Sequence, residues 1–535
     1  MYLTQGLQRM LQQDPDHVAT IFRGRTRTFR EQGERVARLA AALQALGMRS
    51  GDRVGMLALN SDRYLEYMLA TWWGGGVLNP VNIRWSVPEI VYSLDDCQTE
   101  ILLIDDHFLH LAEGIRAGAK RAPVLVHVGD GAAPEGMHSF EGLIARHAPI
   151  GDAMRGGNDL ASIMYTGGTT GLPKGVMQSH LNLWSSAVAR MAEYPAEEQS
   201  RTLHAAPMFH TAAMARCISQ VISGDVNVFI PMFDPLEVLQ TIERERINEM
   251  LLVPTMLQAV INHPDFERFD LSCLKRMAYG ASPISLPVLE QALARFPGIA
   301  FMQAYGMTES SPVISVSPAY THEAEGIASG LVRSAGRGGY GGLVKIVDEE
   351  GNEVPRGVVG EIIVCGPNVM LGYWNRPEET AKALRNGWLH TGDGAYMDER
   401  GFLFIVDRLK DMIVTGGENV YSAEVENVVA RHPAVQSCAV IGIPHERWGE
   451  AVHAVVVLHA GSDVCADDIR AHCAQHIAGY KCPKSVEFVA ALPLSAAGKV
   501  LKRDLRAPYW KDQTRGGRGR RAAPPTPTRN TRGKK

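Results

Sequence analysis

Cysteine chemistry has little to work with in this chain. The eight cysteines (Cys97, Cys217, Cys273, Cys365, Cys438, Cys465, Cys473 and Cys482) lie far apart and none forms a C-x-x-C pair. That spacing argues against a zinc site or a disulfide framework, and reduced thiols are the expectation. Long apolar runs are also missing: no segment approaches the roughly 20 residues of a membrane span. The stretch Met1 to Ala19 is polar and interleaved with Asp14 and Asp16, unlike a secretory signal. Charge of one sign is lacking too, since the formal net charge is only -4. No whole-molecule basic field exists to draw the chain to nucleic acid or anionic membrane. A cytoplasmic protein with no integral membrane segment is expected, its oligomeric state left open with a homodimer among the options.

What is present is an ordinary globular composition, 45% hydrophobic and 21% charged, in 535 residues. That length exceeds what one core organises, so at least two domains with a cleft or hinge are expected. Thr28-Phe29-Arg30-Glu31 has the form of a capping box opening a helix through Val36, Leu39, Leu43 and Leu46 that Gly47 ends. Arg53 to Leu59 reads as a buried strand, and the stretch through Tyr64, Tyr67 and Trp72 as a helix ending at Gly74. Such alternation continues to about residue 330 and argues for α/β layers around mainly parallel sheets. After Gly336 the texture changes. Leu343 to Val347 and Glu361 to Val364 read as short strands joined by a tight turn in 348–352, hence a smaller β-rich subdomain. Arg408-Leu409-Lys410-Asp411, charged between two apolar segments, reads as a hinge. From Lys511 onward nine Lys or Arg and one Asp stand among glycines and prolines, a composition expected to be disordered.

The strongest chemical signal is Tyr165-Thr166-Gly167-Gly168-Thr169-Thr170-Gly171-Leu172-Pro173-Lys174-Gly175. Glycines let backbone N–H groups approach a polyphosphate, threonine hydroxyls add donors and Lys174 adds charge. A Walker P-loop is excluded by spacing: Gly171 stands three residues before Lys174 instead of one, and Gly175 occupies the magnesium-binding Ser/Thr position.

This loop resembles the phosphate loop of the adenylate-forming superfamily, which includes acyl-CoA synthetases, peptide-synthetase adenylation domains and beetle luciferases. Other family motifs follow in order. Tyr279-Gly280-Ala281-Ser282-Pro283 is similar to the wall of the adenine and acyl pockets. Gln303, Ala304, Tyr305, Gly306, Met307, Thr308 and Glu309 resemble the segment that lies against adenine, with Glu309 as a magnesium ligand beside Thr166. Thr391-Gly392-Asp393 resembles the ribose-binding turn, and Arg408 and Lys410 the hinge, where the arginine also reaches the ribose. Gly416 and Gly417 resemble the loop that lines the pantetheine tunnel, and Leu492 to Val500 the loop whose lysine, here Lys499, bridges substrate carboxylate and adenylate oxygens.

The resemblance covers roughly residues 10 to 508. It implies a large N-terminal domain (1–407) of two doubly wound-like α/β subdomains plus the small β-rich one. A hinge (408–411), a small mobile α+β C-terminal domain (412–510) and the basic tail (511–535) would follow. It also implies an AMP-forming acid-thiol ligase using ATP, CoA and Mg²⁺, with Lys499, Glu309, Thr166 and Lys174 in catalytic positions. Gly167 departs from the serine that many relatives carry. The acyl pocket is expected around His210, Gly280 and Tyr305. The small side chains of His210 to Ala215 and the absence of Lys or Arg there favour a medium- or long-chain fatty acid, with an aromatic acid second. His210 reads as a wall or gate, because a carboxylate needs no deprotonation at neutral pH. Lys481 and Lys484 are candidate partners for CoA phosphates. A carrier protein as acyl acceptor is the nearest rival.

Overall fold

Strand order in two large sheets decides where the site falls. The computed structural model describes residues 1–166, 173–195, 200–495 and 498–511; the expected tail, most of the phosphate loop and Ala496–Ala497 lie outside them. Among the described residues one sheet has eight strands. From the edge these are Gly372–Tyr373, Lys174–Ser179, Leu160–Thr166, Val77–Pro80 and Arg53–Leu57, continuing through Thr99–Asp105 to His138–Ser139. A second sheet has nine, running Arg337–Gly338, Ser315–Ser317, Ala300–Tyr305, Arg276–Gly280, Glu249–Leu252 and on to Arg25–Thr28. The inner strands pair in parallel, as alternating strand and helix segments require.

The helices form where the sequence marks them. Thr28 accepts from the Glu31 amide, Glu31 answers at the Thr28 amide, and the helix Phe29–Ala45 follows. Asp62–Trp73 is buried along its whole length and, with Phe29–Ala45, supplies much of the largest apolar cluster. The nine-stranded sheet has its own apolar cluster on one face.

The β-rich subdomain is a five-stranded sheet built on Leu343–Val347, Gly360–Cys365 and Trp388–Met397. The first two strands pair antiparallel, but the connection differs from the expected tight turn. The turn at Asp348 to Gly351 closes only an isolated bridge between Val347 and Glu353, and the chain returns to the sheet at Gly360. The small C-terminal unit has a separate sheet in which Val435–His445 and Gly449–Leu458 form the central hairpin. Its own apolar cluster draws on residues 413–486 alone. The architecture is the mixed α/β one expected, with a large N-terminal and a small C-terminal domain. All eight cysteines are free, and no helix among the described residues is long and apolar enough to cross a membrane.

Candidate functional site

The carboxyl ends of the central strands of both sheets supply the site. Thr166 ends the strand Leu160–Thr166 and pairs across the antiparallel ladder with Lys174, which opens Lys174–Ser179. The two ends of the glycine-rich segment are thereby pinned together; Gly167, Gly168, Thr169, Thr170 and Gly171 lie outside the described residues. Lys174 Nζ stands 5.2 Å over the ring of Tyr373. The Tyr373 hydroxyl donates to Glu309 Oε1 at 2.8 Å, so one aromatic residue links the loop lysine to the acidic residue. Nothing local in the sequence marks Tyr373: its strand, Gly372–Tyr373, is an edge pairing with Lys174–Ser179, visible only in three dimensions.

Glu309 is buried in a short turn, Thr308–Ser310. Gln178 Nε2 holds that turn by donating to Thr308 O at 2.8 Å, while Gln178 Oε1 accepts from the Ser162 hydroxyl at 2.8 Å. Backbone fit explains two glycines here: a Cβ at Gly280 would stand 2.2 Å from Ala304 O, and one at Gly306 1.7 Å from Pro312 O. Gln303, Ala304 and Tyr305 continue the strand Ala300–Tyr305 beside Gly280, with Ala304 in register against it. Met307 leads into the Glu309 turn through Thr308, while Ala281 and Ser282 follow the neighbouring strand, Ala281 at φ +65°.

Asp393 ties three elements together. It accepts from the Tyr305 hydroxyl at 2.7 Å, and Arg408 Nε lies 3.3 Å from its Oδ1. Burial raises its pKa while Arg408 pulls it down. Arg408 and Asp393 are cross-strand partners, which fixes the pair before any ligand binds.

Lys499 is brought to this place from the C-terminal domain. Burial, reinforced by the Arg408 charge and opposed by Asp393 and Glu309, lowers its pKa to about 8. Its loop is held on the large domain by Thr255, which donates to Gly498 O at 3.3 Å, and by Arg84, which donates to Ser495 O at 3.2 Å. His210 caps the helix Thr211–Ser223 by accepting from the Ala212 amide. Burial, helped by the Lys499 charge, lowers its pKa to about 3, so it is a neutral imidazole.

The expected hinge is where bonds change sides. Arg408 faces Asp393 of the large domain. Its neighbour Asp407 accepts from the Ser422 amide and hydroxyl at 2.7 and 2.6 Å, and Asp411 pairs with Arg506 at 2.6 Å. Lys410 between them is exposed, and desolvation by its neighbours, helped by the Arg408 charge, lowers its pKa. Gly416 and Gly417, at φ +60° and +87°, form the two-residue turn between Ile413–Thr415 and Glu418–Val420. Both are exposed at its tip, and positive φ at both central residues is what a type I′ hairpin demands. Of the lysines considered for CoA, Lys481 is taken by Glu424 at 2.7 Å, whereas Lys484 donates to Gly479 O and lies 5.5 Å from the Trp448 ring.

The segment His210 to Ala215 carries no cation, but the next residue, Arg216, does, and it is buried against Glu249.

Comparison with known proteins agrees with this geometry. A family model for AMP-binding enzymes matches residues 7–374, and one for the AMP-binding enzyme C-terminal domain matches residues 424–499. A feruloyl-CoA synthase from an Amycolatopsis species is 41% identical over 499 residues, 93% of this chain and 97% of that one. The medium/long-chain-fatty-acid–CoA ligase FadD8 of Mycobacterium tuberculosis is 37% identical over 512 residues, 92% of this chain and 87% of that one. The crystal structure of the anthranilate CoA ligase AuaEII in complex with anthranoyl-AMP superposes with a TM-score of 0.88 at 28% identity, covering 95% of this chain and 97% of that one. The chain belongs to the AMP-forming acyl-CoA ligase family of AMP-binding enzymes, the adenylate-forming superfamily that its motifs resemble.

Proposed function

We propose that this chain joins a rigid aromatic carboxylic acid to AMP, releasing pyrophosphate, and then transfers the acyl group to the thiol of CoA. The observation that carries the reading is the convergence of Lys499 with Glu309, Asp393 and Arg408 in one place built from both domains.

A carboxylate is a poor electrophile until it gains a leaving group, and attack of its oxygen on the α-phosphate of ATP supplies one. All reacting groups are anions, so the work falls to positioning and to cations set against developing charge. Lys499 would bridge the acid and the α-phosphate. Lys174, Thr166 and the amides of the 167–171 segment would hold the outer phosphates, and Asp393 with Arg408 the ribose. Gly280 to Ser282 and Gln303 to Thr308 would flank the adenine. A magnesium ion fits Glu309 and Thr166: a buried carboxylate and a hydroxyl offer hard oxygen ligands, and it would neutralise phosphate charge. No group of three or more His, Cys, Asp or Glu among the described residues could hold a metal ion, which suits an ion completed by phosphate oxygens. Thioester formation then needs Lys499 withdrawn. A pivot at Lys410, between residues bonded to opposite domains, would let the exposed Gly416–Gly417 turn approach the thiol's path.

For the acid, two things favour an aromatic over a fatty chain. The feruloyl-CoA synthase likeness is one. The other is the buried ion cluster at Arg216 and Glu249, whose unpaired polar atoms a substituent on an aromatic ring could pair and an alkyl chain could not. The small residues among His210 to Ala215 and the FadD8 likeness support a medium- or long-chain fatty acid as second reading.

The test is pyrophosphate and AMP release from purified protein with ATP and magnesium, across aromatic and fatty acids, with and without CoA. CoA-dependent turnover with arylpropenoic acids and thioester product is expected. Pyrophosphate release indifferent to CoA would overturn the acceptor assignment in favour of a carrier protein, and preference for alkyl acids would overturn the acid assignment.

A further inference from the structure

Along one face of the nine-stranded sheet, the site runs into a buried cluster that the mechanism does not use. Side chains alternate across a strand, so Gly280, Ala278 and Arg276 share a face. Register places Ala304 and Met302 beside the first two on one side, and Leu251 and Glu249 beside the last two on the other. The helix Thr211–Ser223 covers this face, since Arg216 pairs with Glu249 across it. Ala212 and Arg216, four residues apart, lie one above the other on that helix, and Ala212 is half-buried between buried neighbours. Small residues at Gly280, Ala304, Ala278 and Ala212 lie between His210 and the cluster, with Met302 and Tyr194 packed beside Ala278. From Gly280 to Arg276 is four strand residues, roughly 13 Å at about 3.3 Å each.

The cluster is not closed on itself. Glu249 receives Arg216, Arg190 at 3.4 Å and Arg276 at 3.2 Å, and with Asp225 nearby the arginines still outnumber the carboxylates. Arg190 finds a further acceptor in the Ser219 hydroxyl at 3.0 Å. Arg216, 3% exposed, leaves Nε and Nη1 without a hydrogen-bond partner, and Glu249 Oε2 has none either, despite the proximity of Arg276 Nη2. Buried polar atoms rarely stay unpaired. Here unpaired donors and an unpaired acceptor lie at the same place, which is what a hydroxyl, both acceptor and donor, would satisfy. A second carboxylate would relieve the arginine but face Glu249.

We propose that Arg216, with Glu249, is a specificity-determining pair that binds the distal hydroxyl of a hydroxyaryl acid, Arg216 donating to its oxygen and Glu249 Oε2 accepting its proton. This rests on the aromatic reading above and sharpens it. A hydrogen bond to a charged group contributes about 1.5–3 kcal/mol, or roughly 10- to 150-fold.

The test compares kcat/KM for pyrophosphate release with 3-phenylpropenoic acid, its 4-hydroxy analogue and its 4-carboxy analogue. The wild-type protein is expected to prefer the 4-hydroxy acid at least tenfold over both. Arg216→Met should collapse that ratio toward one, and Arg216→Lys should retain part of it. The double variant Arg216→Met/Glu249→Gln, which removes both charges together, repeats the comparison should the single variant fail to fold. Equal use of all three acids by the wild type would overturn the pair's role while leaving ligase function intact, and so would a preference that survives Arg216→Met. Preference for the carboxy acid would overturn the hydroxyl assignment. Absence of pyrophosphate with every acid, aromatic and fatty alike, would instead overturn the parent reading.

Discussion

Two charge clusters, one at the nucleotide site and one buried beneath the helix Thr211–Ser223, are assembled differently. At the nucleotide end, Glu309, Asp393, Arg408 and Lys499 come from separate elements of both domains, and Thr255 and Arg84 hold the loop that carries Lys499. In the second cluster, proposed above to meet the acyl group, Arg190, Arg216, Arg276 and Glu249 all belong to the large domain and sit on adjacent elements. On the proposed mechanism, domain rotation would dismantle the first cluster, whereas the second is part of the packed core. Chemistry that must be switched on and off is thus placed at an interface, and recognition that must stay constant is placed inside one packed unit.

The comparison breaks most sharply at Glu249. Removing one member of a buried ion group strands its partners, at a cost of about 3–5 kcal/mol. Glu249→Ala should therefore lower the urea midpoint of the large domain substantially. Burial opposes the charge on Glu249, but its arginines hold its pKa below the ordinary value. A depressed carboxylate contributes stability above its unfolded pKa and loses it as pH falls, so the gap between wild type and variant should narrow in acid. An unchanged midpoint would mean that the acyl-end cluster is no more structural than the nucleotide-end one.

Next in size is Lys499→Ala. Removing one preorganised cationic group typically costs about 10²–10³ in rate, and adenylation is expected to fall by that much. Thioester formation from pre-formed acyl-adenylate should stay within a few-fold, because that step needs the lysine gone. Stability should barely move, in contrast to Glu249→Ala; equal loss in both half-reactions would break the division between switched and fixed clusters.

The two clusters also differ in how far the sequence reveals them. Lys174, Glu309, Asp393 and Lys499 each stand in a short run of glycine, threonine and proline whose spacing is unusual for a surface turn, so the residues are legible one segment at a time. The helix at Thr28 to Leu46 is legible for a similar reason, since its cap is encoded within four residues. Arg216, Arg190, Arg276 and Glu249 sit in ordinary helix and strand segments, and nothing in any of them signals burial. They meet because parallel strands 27 residues apart in sequence come into register, Glu249 against Arg276, a fact of tertiary pairing. The Leu343–Val347 connection fails for the opposite reason: a local turn signal at Asp348 to Gly351 is real but closes only a bridge.

A smaller effect concerns pH. Lys499 acts as a cation, and burial beside Arg408 has brought its pKa to about 8. It is charged below that value and loses its proton as pH rises through it. The kcat/KM for ATP, which reports the free enzyme, should fall about tenfold per pH unit above 8. Lys499→Arg should abolish that limb, whatever activity it retains. His210, near 3, stays neutral throughout and should add no limb of its own. Lys499 lies outside the proposed recognition pair, so the preference among acids should not vary with pH even while the rate does.

The smallest expected effect tests how the nucleotide-end cluster is wired within the large domain. Tyr373 touches both Lys174, through its ring, and Glu309, through its hydroxyl. Tyr373→Phe keeps the ring under the lysine and removes only the donor to the carboxylate. A hydrogen bond to a charged acceptor is worth about 1.5 kcal/mol at the low end, so adenylation should slow about tenfold. If Glu309 serves the magnesium ion, losing the donor that orients its carboxylate should appear chiefly as a higher magnesium requirement, with little change in the KM for the acid. A loss confined to the acid's KM would place Tyr373 on the acyl side of the divide and undo the separation between the two clusters.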